Sequence, residues 1–344
     1  MTENSGKSVA VLREGKLSIK GNRKAVLRWI LDHMVWFILF FVLVVLSCSI
    51  RGFAQWDIFR NILYHAVFVG VLAIGEAICI ISKEMDLSVE SVAGLAAIMT
   101  AWLTGTGLDA SGILLNGYLA LLVVLAMGAI IGAFNAILVV NYKISSFIVT
   151  LAGYLMFRAL ALVVTNGHGV TRLRPEVVMV ARTKLFSIPL MVVLLLFIYI
   201  AFYIFVTQTR FGQHIYLVGD SREASYNAGI RIGRVLFGVF MLSGMLAGLT
   251  GWLLAARTNG AAPNIGMGML FEAMAAVVIG GVSLQGGVGN LAGVLAGAIL
   301  LSTIATAVSL LGMPPFYMNV IRGGFIIIAV LLDALVQRIR PYLM

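Results

Sequence analysis

Runs of about twenty apolar residues recur from near residue 34 to near residue 336, broken only by short polar turns. No other feature constrains the fold so strongly. A hydrocarbon layer about 30 Å thick needs roughly 20 residues of helix at 1.5 Å each. Inside it every backbone N–H and C=O must be satisfied within the chain, so the runs read as spanning helices. Ten spans are expected: Met34–Ile50, His65–Ser82, Leu87–Leu103, Leu114–Val140, Phe147–Val164, Ile188–Val206, Val235–Ala256, Met269–Val282, Val288–Leu311 and Asn319–Val336. The expected fold class is all-α, a polytopic membrane helical bundle with broken helices near a pathway. Only 11% of the 344 residues are charged, against about 25% in an ordinary soluble domain, which excludes a soluble fold.

Charge placement orients the spans. Residues 1–31 form a basic tail carrying Lys7, Arg13, Lys16, Lys20, Arg23, Lys24 and Arg28. The first apolar run is followed by Arg51-Gly-Phe and further spans, not by a small-residue cleavage site, so the tail is expected to be retained. With the tail inside, 15 Lys and Arg fall on the inner side and 7 on the outer, the bias expected of cytoplasmic loops. Both termini are then cytoplasmic, residues 341–344 included. Residues 32–340 form one transmembrane domain, and four of the outer charges lie in the loop from Thr165 to Ser187.

The net charge of +10 is explained by this orientation, without aromatic interleaving that would point to nucleic acid. Cys48 and Cys79 sit in separate apolar runs and form neither a disulfide framework nor a metal site. His33, His65, His168 and His214 are scattered and read as structural. No Gly-x-x-x-x-Gly-Lys-Ser/Thr loop is present, so the chain is expected not to hydrolyse ATP and to bind no cofactor of its own.

Two segments stand apart. Residues 207–234 are the longest polar stretch after the tail; within it Ser221–Ala228 is expected to form an exposed helix, with Asp220 or Ser221 as N-cap and Gly229 as its stop. Either a solvated connection or a docking element for a cytoplasmic partner fits. The second segment holds Gly280, Gly281, Gly286, Gly287 and Gly289, too many in ten residues for a continuous helix. A broken helix at membrane depth is tolerated where protein or a water-filled cavity covers it. A side chain at Gly280, Gly281, Gly286 or Gly287 should block close approach or a positive φ, whereas Gly117, in an outer loop, should tolerate one. Gly244, Gly248 and Gly251 put small residues on one helix face for close packing. A weak internal repeat relates Asp86-Leu-Ser-Val to Ser283-Leu-Gln-Gly, each leading into a small-residue helix pointing the same way.

Acids within spans are costly and functional by default. Glu76 is the most embedded: contact with a polar solute and a structural hydrogen bond both remain open. Asp86 and Glu272 are expected to brace broken helix ends. With Ser88 and Ser283 these make up the candidate pathway residues. Arg158 and Arg322, near span ends, are expected to be structural, either snorkelling to headgroups or pairing with an acid.

Four ordered motifs resemble the permease subunits of bacterial ABC importers for ribose, xylose, galactose and a furanose autoinducer. They are Met85-Asp-Leu-Ser-Val-Glu-Ser-Val; Phe147-Ile-Val-Thr-Leu-Ala with Arg158-Ala-Leu-Ala; Thr209-Arg-Phe-Gly-Gln with Gly219, Glu223-Ala and Gly229-Ile; and Ala273-Met-Ala-Ala-Val-Val-Ile-Gly-Gly-Val-Ser-Leu-Gln-Gly-Gly-Val-Gly. The resemblance covers Ile62 to Leu335. It implies a multi-pass protein of the bacterial inner membrane that pairs with a second permease, identical or homologous. Cytoplasmic ATPase subunits carry ATP and Mg, and a periplasmic solute-binding protein delivers a monosaccharide or similar small polar solute. Arg210, Gly212, Gly219, Glu223, Ala224 and Gly229 fall where the family couples to its ATPase. Lys83-Glu84-Met85, Glu90, Leu270, Glu272 and Asp220-Ser-Arg-Glu depart from the family pattern, which suggests an unusual solute or one half of a heterodimer. The competing expectation is an ion-coupled secondary transporter using Glu76, Asp86 and Glu272.

Overall fold

The computed structural model describes residues 33–107, 109–314, 317–321, 323, 324, 327 and 331. The basic tail, most of the expected last span, Arg322, Arg338, Arg340 and residues 341–344 lie outside the described residues. The described chain is mostly helical: α1 (His33–Ser49), α2 (Trp56–Ile81), α3 (Val89–Thr104), α4 (Gly117–Val140), α5 (Ser146–Val164), α6 (Pro175–Arg182), α7 (Leu190–Gln208), α8 (Arg210–Asp220), α9 (Arg222–Asn227), α10 (Ile232–Thr258), α11 (Met269–Ile279) and α12 (Leu291–Leu310). Six of these, α2, α4, α5, α7, α10 and α12, are long and apolar enough to cross a membrane; α1, α3 and α11 are apolar but shorter. The protein is therefore a multi-pass helical membrane bundle.

Helix α2 is the axis of the bundle, buried along nearly its whole second half, with α3, α7, α10, α11 and α12 packed around it. The closest crossing is α4 on α10. A methyl group at Gly128 would collide with the carbonyl of Gly244, one at Gly132 with that of Phe240, and one at Gly248 with that of Val124. Lipid offers no hydrophobic push between helices, so this association relies on backbones packing face to face. The small residues Gly244 and Gly248 are thus packed on α4 as expected, and Gly251 packs on Ala93 of α3; the facing Gly128 and Gly132 escaped the sequence reading, although four-residue spacing marks them.

At the end of the bundle away from α8 and α9, residues 165–189 are not a plain polar loop. Strand β1 (Val170–Thr171) pairs antiparallel with β4 (Gly260–Ala261), and β2 (Lys184–Leu185) pairs with β3 (Ile188–Pro189). Between them lies α6, started by Pro175 in its first turn, where a missing N–H costs nothing. Arg174 donates to both carboxylate oxygens of Glu176, at 3.3 and 3.1 Å. The Glu176 carboxyl is held below its usual range, chiefly by its own backbone N–H and then by Arg174. Gly117 lies against Val177 of α6, and its carbonyl accepts from Trp252 Nε1 at 3.1 Å. The expectation that Gly117 occupies a tolerant outer loop is therefore corrected: it is a buried first-turn residue with no room for a side chain.

Candidate functional site

Two half-length helices start at the same depth and run apart. From its first turn, near Gly268, α3 runs to Gly105, which bridges Leu173 at the far end. Helix α11 starts beside that turn and runs toward α8. At 1.5 Å per residue they extend about 24 and about 16 Å, each too short to cross alone, and each is completed by non-helical chain, residues 82–88 and 259–268. The two broken spans are antiparallel. Of the segments matched in the internal repeat, Ser283-Leu-Gln-Gly lies at the α8 end, with Gly286 against Ile81 and Lys83, whereas Asp86 and Ser88 lie at the turn into α3.

The first break is braced mainly from nearby sequence. Asp86, 1% exposed, accepts the Ser88 N–H at 3.1 Å and the Ser88 hydroxyl at 2.6 Å on Oδ1. Its Oδ2 accepts the Ser243 hydroxyl of α10 at 2.8 Å. Asn135 Nδ2 of α4 donates to Ser88 Oγ at 3.1 Å, and Ser146 Oγ of α5 accepts the Met85 N–H at 3.3 Å. Asp86 and Ser88 thus form a polar knot holding α4, α5 and α10 around the turn into α3.

The second break is braced from a distance. Gly268, with φ +86°, opens α11, and no side chain at that position caps the first turn. The acceptor comes from Glu90 of α3, 1% exposed, whose Oε2 takes the N–H of Gly268 at 2.9 Å and of Leu270 at 3.1 Å. Glu90 Oε1 accepts Arg158 Nη2 at 3.0 Å and the Tyr154 hydroxyl at 3.4 Å. Arg158 Nη1 donates to the carbonyls of Pro263 and Ile265 at 3.1 and 3.0 Å. Arg158 is structural, as expected, but as the counter-ion of a buried acid. Reading Glu90 as a departure from the family missed its partner, which lies 68 residues along the chain.

Glu76 is fully buried in α2, and among the described residues neither carboxylate oxygen has a hydrogen-bond partner. Glu272 is buried in the first turn of α11, and Ser283 Oγ accepts the Gln285 N–H at 3.3 Å in the glycine turn. Asp86, Ser88 and Glu76 lie in one region, while Ser283 is at the α8 end.

That end holds a second constellation. The polar segment 207–234 contains two helices, not one: α8, N-capped by Thr209 on the Gly212 N–H, and α9, N-capped by Ser221 on the Ala224 N–H. Gly229, φ +78°, follows α9 and ends it as expected of a residue with no Cβ. Helix α8 lies against the end of α2, where the first broken span begins, and against the glycine turn that follows α11. Gly287 N–H donates to the Ile81 carbonyl at 2.8 Å, and the Tyr216 hydroxyl to the Gly289 carbonyl at 3.0 Å. A methyl group at Gly219 would overlap the Ile81 carbonyl and the Gly287 nitrogen. Gly286 and Gly287 have φ of +82° and +72°, and Gly287 packs on the Asp220 backbone. Gly280 is helical but abuts the Val294 backbone, and Gly289 abuts Ile81. Burial pushes the Tyr216 phenol up from its usual range. Arg222, opening α9, pairs with Glu84. Lys83, Lys143, Ser146, Asp220, Arg222 and Glu223 are among the residues lining an open cleft of about 980 Å³ beside this joint. Arg210, Gly212, Gly219, Glu223, Ala224 and Gly229 therefore lie on the α8–α9 unit or at its end.

A multi-pass bundle with two antiparallel broken spans, both keyed to one polar helical segment, has the form of a membrane transport permease. Residues 58–330 match the family described as "Branched-chain amino acid transport system / permease component", and the chain belongs to that permease family. It is 30% identical to the ribose import permease protein RbsC of Escherichia coli K12, over 92% of this chain and 98% of that one. Identity is 32% to RbsC of Bacillus subtilis 168, over 86% of this chain and 90% of that one. It is 31% to the L-arabinose ABC transporter permease protein AraH of Azospirillum brasilense, over 87% and 86%. No solved structure matches. The family description and the relatives name different solutes and agree on the permease role.

Proposed function

We propose that the chain is the membrane-spanning permease subunit of an ATP-binding-cassette importer that carries a monosaccharide or similar small polar solute across a bacterial inner membrane. The observation that carries this reading is the joint at the α8 end, where one polar segment holds the turns of both broken spans through backbone contacts. A partner that moves α8 and α9 moves both spans together, which is how a separate ATPase can drive a pathway containing no nucleotide site of its own. The sugar-import relatives support the solute class.

In this reading residues 32–340 are one permease domain of ten spans, the last being Asn319–Val336. Both termini and the coupling segment 207–234 face the cytoplasm. The ATPase subunits hold ATP and Mg; a periplasmic binding protein meets the opposite end, and a second permease, identical or homologous, completes the pathway. The chain itself is a transport subunit and not an enzyme. The buried, unpartnered Glu76 favours a second reading, ion-coupled transport. Reconstitution separates the two. With its ATPase and binding protein the chain is expected to accumulate solute at the expense of ATP; concentrative uptake by the lone chain under a proton or sodium gradient would overturn the ATP-driven reading.

A further inference from the structure

We propose that Glu90 is a positioning residue that sets the seat of the α11 half-span by serving as the internal anion for the α11 N-terminus and for Arg158. The first N–H groups of any helix lack partners within it and carry the positive end of its dipole. Helix α11 has 11 residues and begins at a glycine that contributes no side-chain cap, so its first turn needs an acceptor from elsewhere. Glu90 Oε2 supplies it to Gly268 and Leu270. Glu90 also lies in the first turn of α3, so one buried carboxylate stands at the N-termini of both half-helices.

Its second oxygen orients Arg158, whose other nitrogen holds the Pro263 and Ile265 carbonyls. Residues 263–270 are thus held at two N–H groups and two carbonyls by a single acid and its counter-ion. Space is closed around the pair: a methyl group at Gly94 would stand 2.7 Å from Arg158 Nη1 and 3.3 Å from the Ile265 carbonyl. Removing the acid leaves the largely buried Arg158, 16% exposed, without its counter-charge, the costly way to break such a pair. The seat of α11 should therefore depend on the carboxylate, beyond the volume of the residue.

The test requires no transport and is independent of what energises the permease. Amide exchange is followed by mass spectrometry on the full chain in lipid nanodiscs, in peptides covering Gly268–Leu270 and, as a control, α12. In Glu90→Ala the first-turn amides of α11 should exchange about tenfold faster or more, with α12 unchanged. Formate, a free carboxylate small enough for the vacated space, should restore protection saturably, whereas chloride at equal ionic strength should not. Glu90→Gln, which keeps the volume, should also exchange faster and ignore formate. Unchanged exchange in both variants overturns the assignment. Fast exchange in Glu90→Ala that formate does not slow, with Glu90→Gln behaving as the native chain, reduces Glu90 to a space-filling residue and overturns it equally. If Glu90→Ala does not insert, Glu90→Gln alone decides: native-like protection at Gly268 and Leu270 overturns the proposal.

Discussion

The two broken spans solve one physical problem by opposite routes. Each interrupts a helix inside the bundle and leaves polar backbone groups that neither water nor lipid can satisfy. At the first break the brace is a neighbour in sequence, Asp86 two residues before Ser88, reinforced by hydroxyls and an amide from α4, α5 and α10. At the second the brace is Glu90, 178 and 180 residues from the amides it receives. A break braced locally can form its turn as soon as its own segment is made. One braced remotely depends on the whole bundle having closed.

The joint where α8 meets the end of α2 and the glycine turn after α11 should give the largest effect. Gly219→Val places a branched side chain onto the Ile81 carbonyl and the Gly287 nitrogen, both backbone and unable to rotate away. Overpacking against movable side chains costs about 1–3 kcal/mol, and backbone leaves less room to relax. Folded protein recovered by size-exclusion chromatography should fall to a small fraction of native. Gly323→Val, with no atom of the described residues within 4 Å of its position, is the proper comparator in place of Gly117 and should be recovered normally. Equal recovery would mean that α8 is not locked to the two turns.

Asp86→Ala comes next. It removes the acceptor of three hydrogen bonds at the first break. Hydrogen bonds to charged groups contribute about 1.5–3 kcal/mol each, less where waters or shifted side chains compensate. A marked drop in thermal unfolding midpoint is expected, larger than for Ser243→Ala, which takes away one donor and leaves two. Glu76→Leu should move the other way: its carboxyl makes no hydrogen bond, so an apolar side chain should hold or raise the midpoint. Uptake should nevertheless fall, because an acid retained at such a cost is best explained by use. A midpoint that falls with uptake intact would make Glu76 a structural residue.

What could be read in the sequence follows the same division between local and remote. The apolar runs announced the bundle, because span length is set by the thickness of the hydrocarbon layer and needs no knowledge of partners. The α9 helix could be read from Ser221 and Gly229, since capping is chemistry within four residues. Asp86 could be suspected because an acid beside a serine next to a helix start is a local pattern. Helix α8 was missed: Arg210, Gln213, His214 and Asp220 make its polar face resemble a loop, and its apolar face is covered by α7, α10 and α2, which are not readable as its partners in the sequence. Glu90, Glu84 and Arg222 looked like isolated departures. Nothing near them reveals that Glu90 meets Arg158 or that Glu84 meets Arg222. Long-range pairing of charges is a property of the closed bundle and leaves no periodicity.

The α9 helix offers a test in which stability should not change. Glu223 is exposed and Gly229 has open space around it, so neither is part of the packed joint. Glu223→Arg is expected to leave insertion and unfolding midpoint near native while weakening copurification of the ATPase and abolishing its stimulation by loaded binding protein. Gly229→Val adds strain at φ +78° and should show the same loss of coupling with a small loss of stability. Full association and stimulation in both variants would make α9 a connection only.

The smallest effect is expected at Glu84 and Arg222, a remote pair like Glu90 and Arg158 but at the rim of the bundle. The side chain of Glu84 is nearly buried, whereas that of Arg222 is 48% exposed, so water competes for the guanidinium and salt screens it. Solvent-exposed pairs contribute about 0.2–1 kcal/mol in double-mutant cycles, and the exposed guanidinium puts this pair in that range. A cycle of Glu84→Gln and Arg222→Gln, read by thermal unfolding, should give a coupling energy of about 0.5 kcal/mol that shrinks as salt is raised. The same cycle at Glu90 and Arg158, whose side chains are 1% and 16% exposed, should give a larger coupling that salt scarcely changes. If the two couplings are equal in size and salt response, burial does not govern what a remote brace contributes, and the contrast between the two breaks must rest on helix-end hydrogen bonding alone.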